Sequence, residues 1–195
     1  MFSKSFRVGI GRTYLVTFSK AIVDCLPQDG GMYVPVFDES FANWILYMNG
    51  QTPFQSIAGT LTSAMIKDEF SPIICETIAT NAFNFEPVVK QLDDNLFIME
   101  LFHGPTLAFK DVALTLLPYL LRKGADYCGV KQTILILVAT SGDTGKAALE
   151  GFKDVPDTEI IVFYPSEGVS PMQKLQMDSQ SGNNVHVCAI KGNFD

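Results

Sequence analysis

The chain has 195 residues, 47% of them hydrophobic and 18% charged, which gives enough apolar material for a sizeable core and too much for a disordered segment. Its 14 basic and 21 acidic residues leave a formal charge of −7 without any Lys/Arg stripe, which argues against a nucleic-acid partner. The longest clean apolar run, residues 134–139, is far too short to span a bilayer, and the N-terminal residues lead into no signal-peptide core, so no membrane partner and a cytoplasmic setting are expected.

Up to about residue 90 the pattern is mostly helical. Residues 17–26 carry apolar side chains at helical spacing, with Thr17 or Ser19 as a cap, and Pro27-Gln-Asp-Gly-Gly turns the chain. Tyr33-Val-Pro reads as extended, and residues 54–70 and 72–83 read as helices, with Pro72 suited to a first turn. Beyond residue 90 the rhythm changes. Residues 96–101 are a strand candidate, and residues 107–123 form a helix expected to bend at Pro118. Residues 133–139 are continuously apolar, as in a strand covered on both faces. Residues 144–152 are a helix, 159–164 a strand, 171–179 a helix capped by Ser170, and 185–190 a strand.

This alternation implies a parallel sheet with helices on its faces, whose ligands bind at the carboxyl ends of the strands. The expected fold class is α/β. A mostly helical N-terminal domain occupies residues 1–90, and the start of a three-layer parallel-sheet domain occupies residues 91–195. The chain stops just past a strand, so that domain is expected to be truncated at its C-terminal end, with apolar surface left uncovered. Cys25, Cys75, Cys128 and Cys188 are widely scattered, with no CxxC and no Cys/His cluster. They are expected to be buried, reduced thiols, and no metal site is expected.

Two motifs carry the chemistry, and both are expected on the strand rim because each follows a strand candidate. The first is His103-Gly-Pro-Thr-Leu-Ala-Phe-Lys-Asp. Lys110 follows a Gly-Pro turn on an apolar stretch, at the expected first turn of a helix. A dry pocket and the positive end of a helix dipole both favour a deprotonated, nucleophilic lysine. The same placement also suits a snorkelling surface lysine, with Phe109 and Leu107 as core, His103 as a structural hydrogen-bonding residue and Asp111 favouring the helix start. The second motif is Thr140-Ser-Gly-Asp-Thr-Gly, joining a strand to a helix. Backbone N–H groups at a helix start bind anions, glycines allow close approach, and Ser141 and Thr144 add hydroxyls. It is equally readable as a plain turn in which Asp143 caps the helix. It is not a nucleotide-binding loop of the GxxxxGK[ST] type, since Thr140 and Ala147 stand where glycine and a hydroxyl residue are needed. Nor is Gly9-x-Gly11 a dinucleotide fingerprint, because Tyr14 holds the third glycine position.

The lysine segment resembles, over nine contiguous residues, the cofactor-lysine segment of the threonine synthase family. That family uses pyridoxal 5'-phosphate (PLP) and belongs to the tryptophan-synthase-β-like fold group. Ala139-Thr-Ser-Gly-Asp-Thr-Gly is similar to the family's second signature. Pro27-Gln-Asp-Gly-Gly-Met-Tyr-Val-Pro, Pro165-Ser-Glu-Gly-Val-Ser-Pro-Met-Gln-Lys-Leu-Gln-Met and Gly192-Asn-Phe-Asp resemble further family stretches. The resemblance covers nearly the whole chain, with three departures. A Ser-Thr-Arg-Gly-like start is not evident in residues 6–14. Family members are considerably longer, and their PLP-phosphate loop lies beyond residue 195. Gly192-Asn-Phe-Asp comes too early to be that loop and ends in Asp195 instead of glycine.

The resemblance implies an incomplete PLP-binding domain that contributes to converting O-phospho-L-homoserine and water into L-threonine and phosphate. Lys110 is implied as the Schiff-base and acid–base lysine, with Phe109 and Asp143 bordering the cofactor. Ser141, Gly142, Thr144, His103 and Thr106 are implied on the substrate side, and a complementing C-terminal segment as a partner. A phospho-lyase of other specificity, or a non-catalytic chain that binds a partner, remains open at this point.

Overall fold

The computed structural model describes residues 15–35, 48–66, 69–140 and 142–192, and the backbone of residues 6–8. The chain divides into two compact units. The first comprises the described residues of Met1–Phe83 together with Tyr119–Lys131, the second those of Asn84–Pro118 together with Gln132–Asp195. The expected division was two contiguous stretches meeting at residue 90; in the fold residues 119–131 belong with the first unit.

In the first unit, strands β1 (Phe6–Val8), β2 (Leu15–Val16) and β3 (Tyr33–Pro35) make a small antiparallel sheet in the order β2-β1-β3. Helix α1 (Phe18–Asp24) starts at Thr17, whose side chain accepts the Lys20 N–H. Glu69 reaches the same end, accepting the N–H groups of Phe18 and, at 2.9 Å, Ser19. A carboxylate there satisfies helix donors that lack intrahelical partners and meets the positive end of the dipole. Helices α2 (Phe54–Ile66) and α3 (Pro72–Ala82) pack together, α3 opening on the Ser71 cap with Pro72 in its first turn. Ala64, Phe70, Cys75 and Ala79 are fully buried between these elements. Phe70 meets Phe18 edge-on at 5.8 Å and Tyr127 at 5.1 Å.

The second unit begins with an antiparallel hairpin, β4 (Val88–Asp93) and β5 (Leu96–Glu100), turned by Asp94 and Asn95. Val88, Val89, Leu92, Leu96, Phe97, Ile98 and Met99 are all exposed on it. A short helix, α4 (Asp111–Leu114), follows, and α5 (Leu117–Tyr127) carries the chain onward. Then come β6 (Ile134–Ala139), α6 (Asp143–Phe152), β7 (Thr158–Pro165), α7 (Pro171–Asp178) and β8 (Val185–Ile190). Strands β6, β7 and β8 pair in parallel in that order. The α/β class is therefore observed, and residues 185–190 form the strand expected of them.

Four expectations change. The strand before the lysine segment belongs to the separate hairpin, so only the second motif sits at the rim of the parallel sheet. The expected single helix over 107–123 is two helices, and the interruption precedes Pro118. Proline has no N–H for the Leu114 carbonyl and suits the first turn of a new helix, here α5. That carbonyl faces α6 instead. A Cβ on Gly151 would lie 2.1 Å from Leu114 O, so the close approach of α4 to α6 requires glycine there.

The parallel strands are not covered on both faces among the described residues. The face with Ile160, Val162 and Tyr164 is buried: Val162 lies near Gly145 of α6, and Tyr164 Oη donates to Asp178 at the end of α7. Both helices thus lie on one side, while Leu135 and Leu137 on the other are 53% and 64% exposed. Finally, only Cys75 is a buried thiol; Cys25, Cys128 and Cys188 are exposed, because they fall at helix ends and on the open sheet face. Burial pushes the Cys75 thiol up from its ordinary 9.0 to about 11, against a smaller lowering by its hydrogen bond with Ser63.

Gly151→Ala should cost about 1–3 kcal/mol, read as a lower urea midpoint at unchanged slope, because the added methyl meets fixed backbone. A raised thiol pKa means less thiolate at any pH below it. At pH 9, reaction with iodoacetamide should therefore modify Cys25 and Cys188 in the native chain and spare Cys75 until the chain is unfolded, as mapped by peptide mass.

Candidate active site

The lysine segment is a folded-back loop stitched by its own last residue. Asp111 is 1% exposed, and its carboxylate accepts the Thr106 N–H at 2.9 Å and the Thr106 hydroxyl at 2.5 Å. A buried carboxylate requires such donors, and supplying them closes the loop. Leu107 N donates to Gly104 O at 3.1 Å, and Leu107 itself takes φ +60°, the left-handed region that disfavours a branched side chain. The closed loop carries Lys110 at the start of α4. Leu107 and Phe109, readable as core, are instead 72% and 58% exposed, because the tight loop turns both side chains outward.

The Lys110 amine donates to Thr144 Oγ1 at 2.7 Å and lies 4.9 Å from the centre of the Phe109 ring. Among the described residues these are its polar and aromatic partners, and no carboxylate pairs with it. Two motifs read separately in the sequence thus meet at one hydrogen bond. A cleft of about 380 Å³ adjoins them, lined by Thr106, Leu107, Phe109, Asp143, Lys146 and Gln176.

The strand-to-helix loop is also held from within. Gly142, which has no side chain to cap with, is the residue before α6, so Asp143 is not the cap. Its carboxylate accepts Gln173 Nε2 at 3.2 Å. The other end of that amide completes the capping box of α7, where Ser170 Oγ accepts Gln173 N–H and Gln173 Oε1 accepts Ser170 N–H. One glutamine therefore joins α7 to the loop. Thr140 Oγ1 accepts the N–H groups of Gly142 and Gly145 at 3.1 and 3.0 Å. The amides of Asp143 and Thr144 have no acceptor among the described residues.

The remaining candidates separate. Gly142 is buried beside Gln173, and Thr106 is engaged by Asp111. His103 pairs with Glu100, its Nε2 at 2.9 Å, and its ring lies 4.8 Å from that of Phe102. Lys90 first and His103 second hold the Glu100 carboxyl below its ordinary range. Ser141 lies outside the described residues, as do the last three residues of Gly192-Asn-Phe-Asp and the body of the 6–14 segment. Thr140 and Gln173 were not singled out by sequence. The Ser-x-x-Gln spacing at 170–173 signals a capping box, but not that the same amide reaches Asp143. Among the described residues no helix is long and apolar enough to cross a membrane, and no cluster of three His, Cys, Asp or Glu side chains is placed to hold a metal.

No protein-family model matches the chain. Individual proteins do. The threonine synthase of Pseudomonas aeruginosa is 36% identical over 192 residues, an alignment covering 95% of this chain and 40% of that enzyme. Human threonine synthase-like 1 is 34% identical over 193 residues, covering 91% of this chain and 25% of that protein. Among solved structures, PLP-bound threonine synthase from Brucella melitensis superposes with a TM-score of 0.86 at 35% identity, covering 98% of this chain and 42% of that one. Threonine synthase from Escherichia coli gives 0.76 at 30% identity, covering 92% and 41%. The chain spans about 40% of the length of the curated threonine synthases it matches. By sequence and by fold, the chain matches the N-terminal portion of threonine synthases.

Proposed function

We propose that this chain supplies the lysine-bearing part of a PLP-dependent threonine synthase, which converts O-phospho-L-homoserine and water into L-threonine and phosphate. The observation that carries the reading is the 2.7 Å hydrogen bond from Lys110 Nζ to Thr144 Oγ1. Among the described residues, it brings an amine that pairs with no carboxylate next to a helix start whose Asp143 and Thr144 amides have no acceptor.

The residues present fit PLP. Lys110 is the amine for a covalent bond to an aldehyde, Phe109 offers an exposed apolar ring beside it, and Asp143 borders the same cleft. When bound, PLP supplies an electron sink for charge developing at the substrate Cα. Lys110 Nζ would hold PLP through its aldehyde and, when free, would take the proton from the substrate Cα and return it. Thr144 Oγ1 holds that amine between transfers. The amides of Asp143 and Thr144 take the substrate carboxylate, with Gly142 allowing close approach and Ser141 and Thr144 as hydroxyl donors. The Asp143 carboxylate accepts the Gln173 amide, which ties it to α7. Thr106 and His103 border the substrate side, His103 anchored on Glu100. A complementing C-terminal segment, corresponding to the rest of the relatives' length, covers the open sheet face and completes the site. The setting is cytoplasmic.

The match to threonine synthase-like 1 supports a second reading, a phospho-lyase of other specificity. Product analysis of the complemented enzyme separates the two: threonine plus phosphate supports the first, phosphate with an elimination product and no threonine supports the second.

The lysine assignment is tested on the purified chain with PLP, borohydride trapping and peptide mapping. The reduced label should fall on Lys110, and Lys110→Ala should abolish it. Label distributed over other lysines, or unchanged trapping in Lys110→Ala, would sink the assignment.

A further inference from the structure

Thr140 has no charge and no reactive group, and its place between β6 and the anion loop does not mark it out. In the fold it is 3% exposed, and its hydroxyl does three things. It accepts the N–H of Gly142 at 3.1 Å, accepts the N–H of Gly145 at 3.0 Å, and lies 3.3 Å from Gly142 O. One side chain therefore ties both ends of the first turn of α6 to the end of a strand. Its methyl acts on the same turn: a Cβ on Gly145 would lie 2.3 Å from Thr140 Cγ2, so position 145 admits no side chain while Thr140 stands.

This closure has two consequences for the site. A helix start ordinarily presents its first several N–H groups. Here two of them are consumed internally, that of Gly142 by Thr140 and that of Gly145 by Thr140 together with the Gly142 carbonyl at 3.1 Å, which concentrates the anion-binding capacity on the consecutive amides of Asp143 and Thr144. The closure also fixes the backbone of Thr144, the residue between the two tied ends that receives the Lys110 amine.

We propose that Thr140 is a positioning residue: it selects the Asp143 and Thr144 amides as the anion donors and holds Thr144 Oγ1 against Lys110 Nζ. The proposal rests on the reading of Lys110 and the loop as one site and deepens it. A purely structural threonine would influence stability without changing the behaviour of an amine on another segment.

The test compares Thr140→Val, which keeps the shape and removes the acceptor, with Thr140→Ser, which keeps the hydroxyl. Two quantities are read on the purified chain: hydrogen exchange at the Gly142 and Gly145 amides, and the rate of acetylation of Lys110 by acetic anhydride, mapped by mass. Thr140→Val should speed exchange at Gly142 by about tenfold or more, exchange at Gly145 by less because the Gly142 carbonyl still accepts that amide, and acetylation of Lys110 by about three- to fivefold, as expected for losing a hydrogen bond. Thr140→Ser should stay within about twofold of the native chain, well below the loss of one hydrogen bond. Thr144→Val should reproduce the effect on Lys110, and the double variant should add little, because both changes act along one path.

A folded Thr140→Val chain with an unchanged Lys110 rate would overturn the proposal, as would full additivity in the double variant. If Thr140→Val does not fold, Thr140→Ala, which also removes the hydroxyl, is read in its place: faster acetylation of Lys110 than in Thr140→Ser supports the proposal, and an unchanged rate overturns it. PLP trapping is a separate measurement on the same samples. Its failure alongside intact Thr140 effects would count against the proposed function and leave the positioning role in place. Trapping on Lys110 without Thr140 effects would do the reverse.

Discussion

The hydrogen bond between the Lys110 amine and the Thr144 hydroxyl joins segments 34 residues apart, and most of the second unit can be understood as what it takes to make that contact. On one side, a buried aspartate closes a tight loop and delivers the lysine at the start of α4. On the other, a buried threonine closes the first turn of α6 and delivers the hydroxyl. Gly151 lets α4 and α6 approach to backbone contact, so the two delivering elements hold a fixed spacing. Polar groups with no exposure to water do this work because an unpaired buried carboxylate or amide is costly, so each such group admits few local geometries.

The same unit is apolar where proteins are ordinarily covered. The β4–β5 hairpin exposes large side chains along both strands, and the parallel sheet leaves one face open at Leu135 and Leu137. Parallel sheets are stable with both faces packed. The chain spans about 40% of the matched relatives' length.

Much of the fold was legible in local pattern. Ser71 and Ser170 each stand before a proline, and both cap helices. The alternation of apolar runs after residue 130 gave β6, α6, β7, α7 and β8 to within a residue or two. Two of the misreadings share one cause. Among the described residues Val88–Asp93 pairs with its hairpin partner alone, so no local period revealed a strand whose side chains stay exposed. The six-residue apolar run of β6 could not show that only one of its faces would be packed.

The candidate site divides in the same way. A lysine after a Gly-Pro turn and a glycine- and hydroxyl-rich loop after a strand are written in the residue types themselves, since few side chains make a nucleophilic amine or tolerate a close anion. The order of helices and strands is likewise set by short-range periodicity and capping, which depend on neighbours within a few positions. The meeting of Lys110 with Thr144, the turning of Asp143 toward Gln173, the pairing of His103 with Glu100 and the closure by Thr140 all depend on contacts between side chains and backbone groups that the sheet and helices bring together. Only tertiary structure decided these, because a hydrogen bond is set by distances of a few tenths of an ångström, and sequence spacing does not encode distance once the chain has turned back on itself.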